Sequence, residues 1–133
     1  MATVQKNARA RSSLSRPLHG PALTVDVGAE ISALKREPAW QDHGRNARTL
    51  AKYPDARFVL EVMRPGTRFA PGGPGERIAV HCLAGRVRVH LPDGGTEEVS
   101  GGTLCTLDRF MAIEIEAVQE SACLLTVAWP AAA

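Results

Sequence analysis

The sequence predicts an all-β fold, a small barrel of short strands preceded by one helix. Three observations predict it. Strand-length runs recur about every eight to twelve residues between turn signals from Arg57 to Trp129, the spacing of a sandwich or closed barrel. Twelve Gly and nine Pro in 133 residues supply the turns that many short strands need. The stretch Glu76 to Gly95, ERIAVHCLAGRVRVHLPDGG, alternates in side-chain character on both sides of a glycine. Successive strand residues point to opposite faces, so one face is apolar and the other carries His81, Arg86, Arg88 and His90.

Taken in order, residues 1–24 have little periodicity, two prolines and scattered arginines, and read as an unordered basic tail. One domain, residues 25–133, follows. Asp26 is placed to cap a short helix, with Glu30 in its first turn, Ile31, Leu34 and Lys35 at helical spacing and Pro38 as its end. Trp40 is expected to seal an edge of the core. A short strand around Arg48–Lys52 leads to a Tyr-Pro-Asp turn. RFVLEVMR, Arg57 to Arg64, is the next strand, closed by Pro65-Gly66. It can be read in two phases. Either Val59, Glu61 and Met63 point inward, or Phe58, Leu60 and Val62 do and Glu61 is solvated.

With Ala84-Gly85 as the turn of a hairpin, Leu83 pairs with Arg86, His81 with Arg88 and Ala79 with His90. Ile78, Val80 and Cys82 then share the apolar face with Val87, Val89 and Leu91. Glu97 to Ser100 reads as a short polar strand, and Thr103 to Leu107 alternates weakly. Phe110 to Ala117 sends Met111, Ile113 and Ile115 to one face, and Ala122 to Trp129 is apolar enough for burial on both sides.

Composition narrows the function classes. The net charge is +2, but Lys6, Arg9, Arg11 and Arg16 stand in a tail without acids, leaving the folded part mildly acidic. Four charges without aromatic residues make no nucleic-acid arm. No apolar run approaches the roughly 20 residues of a membrane helix, and no hydrophobic leader is visible. Cys82, Cys105 and Cys123 lie inside apolar runs without CxxC spacing. They read as reduced core thiols, which suits a cytoplasmic, bacterial protein. No Ser-His-Asp set, phosphate loop or usefully spaced carboxylate pair is present.

The strand ending in Pro65-Gly66, the run IAVHCLAGRVRV around Gly85, and VSGGTLCTLD leading to FMAIEIEA together resemble the cupin superfamily. They are closest to small single-domain bacterial members ending in Ala-Trp-Pro, here Ala128-Trp129-Pro130. The resemblance implies a double-stranded β-helix, or jelly-roll, barrel over about residues 45–129, and a homodimer. Metal-binding members carry His or Gln in the loop after the Pro-Gly turn, a Glu seven residues before the central Gly, and a later His. Those positions fall here on Gly72, Gly73 or Pro74, on Ile78 and on Ile113, none of which offers a donor side chain. The resemblance therefore points to a barrel with no metal, no cofactor and no assigned catalytic residue. Its ligand-pocket candidates are Glu61, Met63, Arg68, Ile78, Val80, Met111 and Ile113. The expected function is a metal-free module that binds a small molecule or a protein partner. The alternative is a small isomerase- or oxygenase-type enzyme using non-standard residues, which an inward His81 beside Glu61 would favour.

Overall fold

A computed structural model describes residues 16–73, 75–109 and 111–130. Helix α1 spans Val27–Leu34, and the Asp26 carboxylate caps it by accepting from the Ala29 N–H at 3.0 Å. Pro38 does not merely end this helix. It opens a second, α2, Pro38–His43, because the fixed φ and missing N–H of proline suit a first turn. Gly44, at φ 68, caps α2 in the left-handed conformation.

Nine strands follow: β1 Arg45–Tyr53, β2 Ala56–Met63, β3 Arg68–Phe69, β4 Arg77–Ala84, β5 Arg86–His90, β6 Thr96–Ser100, β7 Leu104–Thr106, β8 Glu114–Ala117 and β9 Ser121–Ala128. They form a five-stranded sheet ordered β1-β2-β9-β4-β7 and a four-stranded sheet ordered β3-β8-β5-β6, with antiparallel pairing throughout.

The expected central hairpin is not one. β4 pairs with β9 and β7, β5 pairs with β6 and β8, and Ala84-Gly85 is the corner between the two sheets. His81 accordingly lies between Leu104 and Leu124, not opposite Arg88. The face assignment survives because the inner faces of both sheets meet in one core, so Ile78, Val80, Cys82, Val87 and Val89 still converge. Alternation fixes which side chains share a face; it carries no record of which strand lies alongside. Gly85 has φ 82, and a Cβ there would come within 2.9 Å of the Ser121 Cα. The buried Ser121 hydroxyl pins the corner, accepting from the Arg86 N–H at 3.0 Å with the Gln119 carbonyl 2.8 Å away.

β2 satisfies both phases of its sequence. Val59, Glu61 and Met63 face the barrel interior, while Leu60 and Val62 face outward and are covered with Leu34, Trp40 and Leu50 under the helices. β9 is likewise central and buried on both sides. Part of the stretch expected to be unordered is held in place. The Arg16 guanidinium donates to the Leu50 carbonyl at 2.6 Å, and the Lys52 N–H donates to Leu18 O at 2.7 Å. Residues 16–20 thus shield the free edge of β1; residues 1–15 lie outside the described residues.

A polar clamp docks the helices on β1. Arg48, 10% exposed, donates to Glu30 at 3.2 Å and to Glu37, and the Asn46 amide donates to Leu34 O at 3.0 Å and to Glu37 at 2.9 Å. The Asn46 bond first, and then Arg48, hold Glu37 below the usual carboxylate range. A depressed carboxylate adds stability above its unfolded pKa, which is lost as pH falls through its folded pKa. Arg48→Met should therefore lower stability at neutral pH by roughly 3 kcal/mol, because Glu30 stays buried without its partner. The gap to wild type in denaturant titrations should narrow in acid; a pH-independent loss under 1 kcal/mol would contradict the clamp.

Candidate ligand pocket at the barrel mouth

The pocket begins with strand parity. β1 sends Arg45 and Thr49 inward, and β2 sends Arg57, Val59 and Glu61 to the same side, opposite Leu125 and Val127 of β9. β3 is only two residues long, yet its alternation matters: Phe69 points in and Arg68 points out. Behind it, Ala70, Pro71 and Gly72 fold over the rim. Together these residues enclose a cavity of about 280 Å³ at one end of the barrel.

Its wall mixes polar and apolar side chains, and its main polar element is an ion pair. Glu61 is 3% exposed, and the Arg45 guanidinium grips it bidentately, Nε to Oε1 at 3.0 Å and Nη2 to Oε2 at 3.1 Å. The same guanidinium lies 4.0 Å from the centroid of the Phe69 ring, a cation–π contact that fixes its plane. Burial pushes the Glu61 carboxyl above its ordinary pKa, and the hydrogen bond and charge of Arg45 pull it partly back. At the lip, the Arg57 guanidinium lies 5.5 Å from the Trp129 ring centroid, and its Nη1 is 3.7 Å from Glu76 Oε2. The other Glu76 oxygen accepts the Gly73 N–H.

The residues singled out from the sequence divide. Glu61 lines the cavity. Met63, Ile78, Val80 and Ile113 are buried in the barrel core below it, with Met111 packed against them. Arg68 is a correction. It lies on the outer face of the smaller sheet, where its Nε donates to Glu114 at 2.6 Å, because β3 turns Phe69 inward instead. Arg45, Thr49, Arg57 and Phe69 were missed. A strand started at Arg48 left Arg45 outside, and parity carried through Arg68 would have found Phe69.

His81 is on the outer face, so the arrangement that would favour the enzyme alternative is not formed. The thiols of Cys82 and Cys123 face one another across β4 and β9, fully buried, and burial raises both. Such thiols are poor nucleophiles.

The positions that the resemblance assigns to metal ligands do not fit a metal. Ile78 and Ile113 are carbon side chains in the core, and Gly72, at φ 67, has Ile78 Cδ1 3.0 Å from where a Cβ would stand. Pro74 lies outside the described residues. No cluster of three or more His, Cys, Asp or Glu capable of holding a metal occurs among the described residues.

No family model and no curated protein matches the sequence. Solved structures do match. A conserved protein of unknown function from Streptococcus pyogenes is 20% identical, with a TM-score of 0.67 over 86% of this chain and 94% of that one. An RmlC-like cupin from Desulfovibrio desulfuricans is 11% identical, with a TM-score of 0.61 over 83% and 97%. An ectoine synthase from P. lautus is 18% identical, with a TM-score of 0.56 over 65% of each chain. At such identities the likeness shows the fold: the chain is folded as a cupin-type, RmlC-like barrel.

Elemental analysis of the purified protein should find well under one equivalent of Fe, Mn, Ni, Zn or Cu. One tightly bound equivalent would mean that donors outside these positions assemble a site.

Proposed function

We propose that the chain is a metal-independent binding module that holds a small molecule in the barrel mouth. The observation that carries this reading is the Arg45–Glu61 pair, held bidentately inside a cavity of about 280 Å³ beside Val59, Leu125 and Val127 on the same inner sheet face. A few fixed polar groups beside apolar side chains are a common composition of a ligand site, and this volume lies just below the range of about 300–1,000 Å³ for such sites, which suits a small molecule. The raised pKa of Glu61 favours a second reading, in which it carries a proton in catalysis. Binding is preferred because the bidentate pair with Arg45 holds both Glu61 oxygens in place and lowers their affinity for a proton.

Screening a fragment library by NMR should give ligands that shift the methyl signals of Val59, Leu125 and Val127. Thr49→Trp, which fills the mouth from a partly exposed position, should abolish those shifts without unfolding the protein. Ligands that bind the Trp variant equally well would place binding elsewhere.

We also propose that two copies pair through the outer face of the larger sheet. The two sheets present opposite chemistry outward. The smaller carries polar and charged side chains, His90 hydrogen-bonded with Glu116 at 2.8 Å and Arg88 paired with Glu98 at 2.6 Å. The larger, beyond the helices, presents the uncharged row Thr106–Ala79–Thr126–Phe58–Ala51, with Leu104 beside it 61% exposed. Five strands about 4.8 Å apart and two to three side-chain rows give about 400 Å² per copy, the size of a weak interface. Sedimentation should show a monomer–dimer equilibrium at micromolar concentration that Thr126→Arg shifts to monomer. A monomer at every concentration would refute the pairing.

A further inference from the structure

We infer that the molecule held in the mouth is a small organic monoanion, a carboxylate on a short apolar body, and that Arg57 is its anchor. This rests on the binding reading above and adds the chemical class of the ligand. Two guanidiniums and one carboxylate line the cavity. Arg45 is engaged: its Nε and Nη2 both donate to Glu61, and its guanidinium carbon lies 4.0 Å from the Phe69 ring centroid. That pair is neutral as a unit. Arg57 is different. Its nearest acid is Glu76, whose Oε2 forms an ion pair with Nη1 at 3.7 Å, beyond hydrogen-bond reach, and its guanidinium lies 5.5 Å from the Trp129 ring centroid. None of the described residues accepts a hydrogen bond from the Arg57 guanidinium.

The lip of the cavity therefore offers a planar fork of donors that no described residue hydrogen-bonds. A carboxylate matches that fork with two parallel N–H···O bonds. Two further features narrow the class. The Arg45–Glu61 pair is neutral and Arg57 has Glu76 3.7 Å away, so a monoanion leaves less uncompensated charge at the mouth than a dianionic phosphate would. Below the lip the wall is Val59, Leu125, Val127 and the Phe69 ring, so the body of the ligand is apolar. A cationic ligand is disfavoured by Arg57, and a fully apolar one would leave the fork desolvated and unpaired.

The test uses three probes of matched shape, hexanoate, hexanamide and hexylamine, with benzoate as a second carboxylate, titrated into the full chain at neutral pH and low salt by methyl NMR. Hexanoate or benzoate should bind with shifts at Leu125 and Val127, at least tenfold more tightly than the amide and the amine. Arg57→Gln should cost the acid at least tenfold and leave amide binding unchanged, whereas Thr49→Trp should remove all binding. Raising the salt to several hundred millimolar should weaken the acid only. Amide or amine binding as tight as the acid at these residues would overturn the ligand class while leaving a pocket that binds. Failure of all four probes to shift the pocket would overturn this inference and the binding reading together. Acid binding that survives Arg57→Gln would overturn the anchor.

Discussion

Strands β2 and β9 are buried on both faces, and the rest of the molecule is arranged to make that possible. A sheet with two apolar faces must be covered twice. The second sheet covers the inner face, and the two short helices cover the outer, over Leu60, Val62 and Ala122. Each such aliphatic side chain contributes about 1.5–3 kcal/mol when removed from water. The helices are too short to be stable alone. They are held by this apolar contact and by the Arg48–Glu30–Glu37 clamp with Asn46. Double burial also dictates the site. Once Leu60 and Val62 belong to the outer layer, residue 61 must point into the barrel, and in this chain residue 61 is a glutamate.

That glutamate is not where it is for stability alone. A carboxyl whose pKa is raised by folding stabilises the folded state below its unfolded pKa, and this contribution is lost as pH rises through the folded pKa. Ionising the buried group is therefore a net cost that Arg45 offsets in part. Arg45 is 38% exposed, so solvent screens the pair. Buried pairs of this kind are often replaceable by apolar residues without loss. What the pair does provide is position: it holds Arg45 over the Phe69 ring and keeps one end of the barrel polar.

Much of the fold was legible because period-two alternation is a local property. The inward sets Ile78-Val80-Cys82, Val87-Val89 and Ile113-Ile115, the Asp26 cap and the doubly buried β9 all follow from neighbours in sequence. What was not legible is non-local. Ala84-Gly85 is equally good as a hairpin turn or as a corner, and only the presence of β8 and β9, some thirty residues further on, selects the corner. Glu61 had two readings because each assumed one buried face, and β2 has two. Pro38 read as a terminator because its role at a helix start depends on the turn before it. At the site, Arg45 and Arg57 come from strands adjacent only through β1–β2 pairing, and the two-residue strand β3 is too short for its alternation to be visible beside the Pro-Gly turn.

The central claim is that a carboxylate is buried at the mouth of the barrel and kept ionisable by Arg45. Titration of the Glu61 side-chain carboxyl by ¹³C NMR, in wild type and in Arg45→Met, tests it most directly. The account predicts a Glu61 pKa above the ordinary glutamate value of about 4.3 in wild type, and a further rise in the variant, where burial acts without the counter-charge. A Glu61 that titrates at or below that value, or that does not respond to loss of Arg45, would contradict it.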